Sequence, residues 1–357
     1  MIDSIEQFGS EFAPSHEIVN LIAEIDEFKG QWKVLQNLSP ERLSALRRVA
    51  TIESVGSSTR IEGVKLSDRE VETLLSNLKQ YSFKSRDEEE VAGYAEVMEM
   101  LFESWREISL SENHLKQLHS VLLKFSSKDI SHRGSYKKLS NNVVAFDAAG
   151  KEIGVVFETA APFETPLEME RLVSWLNETV ENKQVHPLLM IAAFVVAFLA
   201  IHPFADGNGR LSRILTTLLL LRSGYEYVPF ISLESVIEDN KDSYYKALRR
   251  TQKTFREEKT DWEAWCLFFL KCLKKQKDKL AAKLERENII ARKLPKLSVE
   301  ILALLKAHAQ LTIAEIETLT AANRNTLKVR LRELVRDSFI EQNGQARATF
   351  YNLKIGK

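Results

Sequence analysis

Leu188-Leu-Met-Ile-Ala-Ala-Phe-Val-Val-Ala-Phe-Leu-Ala-Ile201 runs straight into His202-Pro-Phe-Ala-Asp-Gly-Asn-Gly-Arg210-Leu-Ser-Arg213, and a second apolar run, Ile214 to Leu221, follows at once. Fourteen uncharged apolar residues are too few for a membrane span, which needs about 20, so the first run reads as a buried core helix. Pro203 ends it or forces a bend. Gly207 and Gly209 permit backbone shapes closed to other residues, and the amides of residues 207–210 then open the next helix. A helix N-terminus with close-packed amides is an anion site, carrying roughly half a positive charge from the macrodipole. Arg210 and Arg213, three apart, project from that helix's first turn and add forked donors suited to phosphate oxygens. Asp206 places a hard oxygen ligand beside this nest, which suits Mg²⁺ bridging two phosphates. At the loop entrance stands His202, whose neutral imidazole could take a proton from an attacking hydroxyl. The parts fit nucleotidyl transfer.

Outward from this segment, helix signals recur with their caps. Ser39-Pro40 reads as an N-cap followed by proline at the first helical position, and Ser67 to Glu70, Thr165 to Glu168, Thr260 to Glu263 and Thr312 to Glu315 read as capping boxes. At least nine helices are expected. Only 13 glycines and 8 prolines punctuate 357 residues, which suits long helices better than an all-β fold. Two places break the pattern. Tyr136 to Phe146 and Ile153 to Phe157 flank Asp147 to Gly150 as a short hairpin, and Phe339 to Gln342 and Ala348 to Tyr351 flank Asn343-Gly344, the strongest short hairpin signal.

Fifty Lys+Arg balance fifty Asp+Glu, so no global charge drives the chain onto nucleic acid or an anionic membrane; such contacts need a local patch. An apolar fraction of 44% and a charged fraction of 28% are those of a folded protein. The N-terminal residues lack a basic and an apolar region, so no signal peptide is visible. Cys266 and Cys272 lie six apart in a helical stretch where their side chains diverge, which argues against a disulfide and for a reducing compartment. A cytoplasmic protein with no membrane partner is expected.

His202 to Arg213 resembles the H-P-F-x-D-G-N-G-R-x-x-R motif of the Fic family, matched at every defined position. The likeness extends over about residues 40–275, taking in Leu118-His119, Tyr244-Tyr245 and Trp262 to Phe269. It implies an all-α fold, a Fic-type helical bundle with a small hairpin flap, and transfer of AMP from ATP to a Ser, Thr or Tyr hydroxyl of a target protein. By that resemblance His202 is the general base, Asp206 the Mg²⁺ ligand and Phe204 a buried anchor for the loop. Gly207, Asn208 and Gly209 cradle the α- and β-phosphates, Arg210 binds phosphate and Arg213 holds the γ-phosphate. Tyr244 and Tyr245 face the nucleotide by the same analogy. The other six histidines give no metal pattern and read as structural or surface groups. The hairpin at 136–157 corresponds to the family's flap, whose strand edge can pair with a target segment; Lys137, Lys138 and Asn142 are polar candidates for nucleotide or target contact.

Ser58-Thr-Arg-Ile-Glu62-Gly63 resembles the family's S/T-x-x-x-E-G/N inhibitory motif, here N-terminal to the core. Ser58 and Glu62 share a helix face, and a carboxylate paired with Arg213 would occupy the guanidinium that the γ-phosphate needs. The same residues also read as a helix C-terminus capped by Gly63. The resemblance further allows Glu62 to position a water that removes AMP from modified targets.

The expected organisation is an N-terminal helical region over 1–110 with the inhibitory helix around 58–63, a Fic core over 111–272, a helical linker over 273–293 and a small domain over 294–357. Within 296–357, ten Lys+Arg face six Asp+Glu, a net of +4 inside a neutral chain. Its order of helix (298–307), helix (312–318), helix (323–337) and hairpin (339–353) is that of a winged helix-turn-helix, with Arg324, Asn325, Lys328 and Arg332 at the start of the recognition helix. DNA binding through 294–357 and target recruitment or homodimerisation both fit such a module. Two functions compete for the whole chain: a self-restrained protein adenylyltransferase using ATP and Mg²⁺, and a nucleotide-sensing transcriptional regulator. An intact His202 and Asp206 favour the enzyme, because a pure sensor needs no base.

Overall fold

The computed structural model describes residues 3–35, 40–78, 82–141, 143–146, 152–257, 259–337, 339–344 and 349–354. The chain is mainly α-helical, with one two-stranded and one three-stranded sheet among the described residues. It divides into two compact units, residues 1–33 with 50–277 and residues 34–49 with 278–357.

The first unit contains α1 (Asp3–Glu6), α2 (Phe8–Glu11), α3 (His16–Leu35, to residue 33) and the C-terminal part of α4 (Pro40–Ile61). There follow α5 (Asp68–Ser76), α6 (Arg86–Ser104), α7 (Glu112–Leu122), the hairpin β1 (Val143–Phe146) and β2 (Glu152–Phe157), and α8 (Thr165–Asn182). The unit closes with α9 (Pro187–Ile201), α10 (Asn208–Arg222), α11 (Leu233–Glu238), α12 (Lys241–Lys253) and the first half of α13 (Trp262–Lys293). Its centre is α9, the apolar run that opens the sequence argument. Pro187 occupies its first turn, His186 Nδ1 accepts the Leu188 amide at 3.3 Å, and every residue from Leu188 to Ile201 is buried. Fully burying one large aliphatic side chain is worth roughly 1.5–3 kcal/mol, so a helix apolar all round must be enclosed on every side. Helices α8, α10 and α12 enclose it, and Trp265 of α13 donates its indole N–H to Ala192 O at 2.7 Å. Cys266 and Cys272 are buried free thiols. No helix among the described residues is long and apolar enough to cross a membrane.

Two expected capping boxes form, at Ser67–Glu70 and Thr312–Glu315. Two do not. Thr165 lies inside α8, where its hydroxyl donates to Ala161 O, because Glu164 caps the preceding turn by accepting the Ala161 amide. Asp261, not Thr260, caps α13 by accepting the Ala264 amide; Thr260 donates to Thr254 O instead. Ser39 lies outside the described residues. The first hairpin is shorter than expected: β1 begins at Val143, which pairs with Phe157, while Tyr136, Lys137 and Asn141 bond other parts of the chain. Its connection lies outside the described residues.

The second unit holds α14 (Lys296–Ala307), β3 (Leu311–Thr312), α15 (Ile313–Thr320), α16 (Arg324–Arg336), β4 (Ile340–Asn343) and β5 (Phe350–Leu353), with strand order β3-β5-β4. Ile301, Leu305, Ile316, Leu327, Leu331 and Ile340 form its core. Asn343 pairs with Phe350, so Asn343-Gly344 opens a longer connection and does not make the two-residue turn that its sequence suggests.

Candidate active site

The loop between α9 and α10 is tied down from both ends. His202 is the C-cap of α9, in the left-handed region at φ 52°, with its amide donating to Phe198 O at 2.9 Å. Its Nδ1 lies 3.2 Å from Leu199 O. A carbonyl can only accept, so Nδ1 carries the proton and Nε2 keeps a lone pair. Burial lowers the imidazole pKa to about 4, so His202 is neutral at pH 7.

Phe204 is fully buried and stacks on the His119 ring, centroids 3.8 Å apart. His119 uses both nitrogens. Nδ1 accepts the Gly134 amide at 2.8 Å, so Nε2 holds the proton and donates to Asp206 O at 2.9 Å. Asn208 is buried and clamps Phe204, accepting its amide at 2.9 Å and donating to its carbonyl at 2.7 Å. Phe204 and the Asn208 side chain therefore build the loop, and the backbone from Gly207 onward is what the loop offers to a ligand. Gly207, at φ 79°, leads into α10.

Asp206 Oδ1 accepts the Gly207 amide at 2.6 Å, and Oδ2 faces Arg86 Nη2 at 2.8 Å and Arg210 Nη2 at 3.3 Å. Burial would raise its pKa, but Arg210, the Gly207 amide and Arg86 together outweigh burial and hold the carboxyl below the usual range. Arg210 is itself buried and pairs with Glu90 at 2.9 Å. Glu90 and Arg86, both on α6, are site residues that the sequence reading missed.

Arg213 is buried against the end of α4. Its Nε donates to Ser58 Oγ at 2.8 Å, and its Nη2 to Ser58 O at 3.0 Å and to Glu62 Oε1 at 2.7 Å. Nη1 is buried with no hydrogen bond among the described residues. Burial favours a neutral Glu62, but Arg213, with Arg210 adding to it, holds the carboxyl below the usual range. A Cβ on residue 209 would lie 2.2 Å from Glu62 Oε1, so only glycine admits the carboxylate there.

Glu62, His202, Asp206, Gly207, Gly209 and Arg210 line one cavity of about 460 Å³, together with Tyr244, Tyr245, Leu248, Arg249 and Gln252 of α12 and Phe157 of β2. Tyr244 is buried and packs edge-on against Tyr245 and Trp265, with centroids 5.1 and 5.8 Å away. Arg249 and Gln252 were not singled out from the sequence; their place at one and two turns beyond Tyr245 is visible only once that helix face is known. Lys137 is corrected outright. It is 4% exposed and bonds Asn141, Thr159 and Ile201, and burial lowers its pKa to about 8, so it is no surface contact for nucleotide or target. Asn142 lies outside the described residues.

Comparison with known proteins meets this geometry at the same place. The Fic/DOC family model matches residues 109–220, the stretch from the start of α7 through the loop and most of α10. Residues 109–220 are a Fic domain. The chain is 27% identical over 232 residues to a protein adenylyltransferase Fic of Drosophila grimshawi, covering 62% of this chain and 45% of that protein. It is 28% identical over 190 residues to the one of Drosophila persimilis, covering 52% and 35%. The chain thus spans less than half the length of these curated relatives. Among solved structures, a Fic family protein from Desulfovibrio desulfuricans G20 aligns over 97% of this chain and 98% of its own, with TM-score 0.60 and 24% identity. A Fic domain containing signaling protein from Bacteroides thetaiotaomicron aligns over 71% of this chain and 94% of its own, with TM-score 0.58 and 26% identity.

Proposed function

We propose that this Fic protein is an adenylyltransferase that moves AMP from ATP to a Ser, Thr or Tyr hydroxyl of a protein, and that Glu62 restrains it. One observation carries the reading: an imidazole with its proton fixed on Nδ1 borders the same cavity as the amides at the mouth of α10. Those amides, with Arg210, bind the phosphates by charge and geometry, which supplies most of the catalysis in phosphorus displacement. His202 Nε2 takes the proton of the target hydroxyl as its oxygen bonds to the α-phosphorus. The bond from that phosphorus to the bridging oxygen breaks, and pyrophosphate leaves. Arg213, with Nη1 in reserve, receives the γ-phosphate once Glu62 withdraws.

Mg²⁺ fits as a companion of the nucleotide. Asp206 has one oxygen facing only arginines, of which Arg86 is largely exposed and able to swing aside, and no cluster of three metal-binding side chains occurs among the described residues. An ion arriving with ATP would complete its shell from phosphate oxygens and water, and would neutralise phosphate charge. Asp206 is the residue that would hold it.

The test is incubation of the Glu62→Gly protein with ATP labelled at the α- or the γ-phosphate. Label is expected on protein from α-labelled ATP alone. His202→Ala should bind ATP as before and transfer nothing; labelling that persists in this variant removes His202 as the base.

A further inference from the structure

Four successive carbonyls of the catalytic loop are held by two residues of one short segment. Ile201 O accepts from Lys137 Nζ at 3.0 Å and His202 O from Asn141 Nδ2 at 3.2 Å. Pro203 O accepts from the Lys137 amide at 2.8 Å and Phe204 O from Asn141 Nδ2 at 2.7 Å. Helix α9 ends at Ile201, so these carbonyls are not bonded within it; Phe204 O also accepts from Asn208 Nδ2 at 2.7 Å, and in a buried loop an unpaired carbonyl is costly. Thr159 completes the cluster: its hydroxyl accepts from Lys137 Nζ at 2.9 Å and donates to Asn141 Oδ1 at 3.0 Å, while Asn141 Oδ1 also takes Lys137 Nζ at 2.8 Å. All three ammonium protons are used, and the three acceptors are neutral.

A buried ammonium with neutral partners is an expensive way to fill space, since an apolar side chain of like length would pack without desolvating a charge. What the cluster provides is direction. Asn141 stands two residues before β1 and Thr159 two residues after β2, so the cluster joins both roots of the hairpin to the backbone that carries His202.

We propose that Lys137, Asn141 and Thr159 are positioning residues that fix the His202 backbone and thereby couple the base of the β1–β2 hairpin to the orientation of the imidazole. This rests on the adenylyl-transfer reading of the site. A target strand that pairs with the hairpin edge would act on His202 through these three side chains. The functional residues are then not confined to the loop motif.

The experiment uses the full chain with Glu62→Gly as parent. Asn141→Asp keeps the shape and still accepts from Lys137, but it can no longer donate to the His202 and Phe204 carbonyls. The expected result is a kcat for AMP transfer lower by about tenfold to a hundredfold, as for a misplaced catalytic group, with the KM for ATP unchanged. Without nucleotide, the ¹⁵N resonances of His202 should show a mixed tautomer where the parent shows Nδ1–H alone. Thr159→Val removes one link and should give the same split with a smaller loss, and it carries the test if Asn141→Asp does not fold. Parental kcat together with an unmoved His202 resonance overturns the proposal, even if the melting temperature falls. Should the parent transfer no AMP at all, the adenylyl-transfer reading fails, and the tautomer measurement still decides the positioning claim.

Discussion

At His202 and His119 the ring protons are fixed by carbonyls, and burial makes both rings resist protonation. Each imidazole has its pKa lowered to about 4 against an ordinary 6.5. The unfolded chain therefore binds more protons than the folded one between those values. Stability is unaffected above pH 6.5, falls as the pH drops through the window and levels off below about 4. For the fully buried His119 the loss at pH 5 is about 2 kcal/mol. Urea denaturation at pH 7 and pH 5 measures it, and His119→Asn, which keeps a donor and an acceptor but does not titrate, should be less stable at pH 7 and lose this part of the pH slope. A slope equal to that of the parent would show that His119 is charged in the fold. At this scale the sequence told much about His202, because its neighbours in the motif are also its neighbours in space. It told little about Lys137 or Arg86: whether an amine is buried, or a guanidinium faces Asp206 across 120 residues of chain, depends on packing that no local pattern encodes.

The end of α4 serves two purposes at once. The Gly63 amide donates to Arg60 O at 3.0 Å and the Val64 amide to Thr59 O at 3.2 Å, with Gly63 at φ 105°, which is a Schellman cap. The sequence alone left a choice between a helix cap and an inhibitory motif; the geometry shows that the cap and the Glu62–Arg213 pair coexist, the cap fixing where the carboxylate stands. A hydrogen bond to a charged group contributes roughly 1.5–3 kcal/mol, so freeing Arg213 with Glu62→Gly should raise AMP transfer about 10-fold to 100-fold. Initial rates with α-labelled ATP decide it, and equal rates in mutant and parent would discard the restraint. The capping boxes teach the converse lesson. Ser67 and Thr312 formed theirs, but the Thr165 and Thr260 hydroxyls donate back to the carbonyls of Ala161 and Thr254, so a hydroxyl three residues before a carboxylate is not enough when an upstream carbonyl is within reach.

On the scale of the whole chain, charge is distributed by unit rather than overall. Residues 34–49 join the second unit, a long-range association without any sequence signature, whereas the excess of four positive charges in residues 296–357 was countable from the start. Helix α16 shows how that excess is disposed. Leu327, Leu331 and Leu334 are buried in the unit's core, and Asn325, Lys328 and Arg332 are exposed at the spacing of one face. Arg324, expected beside them, is paired with Glu317 at 2.7 Å, and Arg330 with Glu333 at 2.7 Å, so the open face has fewer cations than composition alone suggests. The sequence leaves two uses for that face, duplex DNA and a protein partner, and salt dependence separates them. Each phosphate neutralised contributes a slope of about −0.9 in log K against log salt, so replacing both Lys328 and Arg332 by alanine should reduce the slope of the full chain by about two. Fluorescence anisotropy on a labelled duplex across a salt series gives both slopes. Retention that is absent at low salt, or a slope that the double variant leaves unchanged, would turn the same face over to a protein partner.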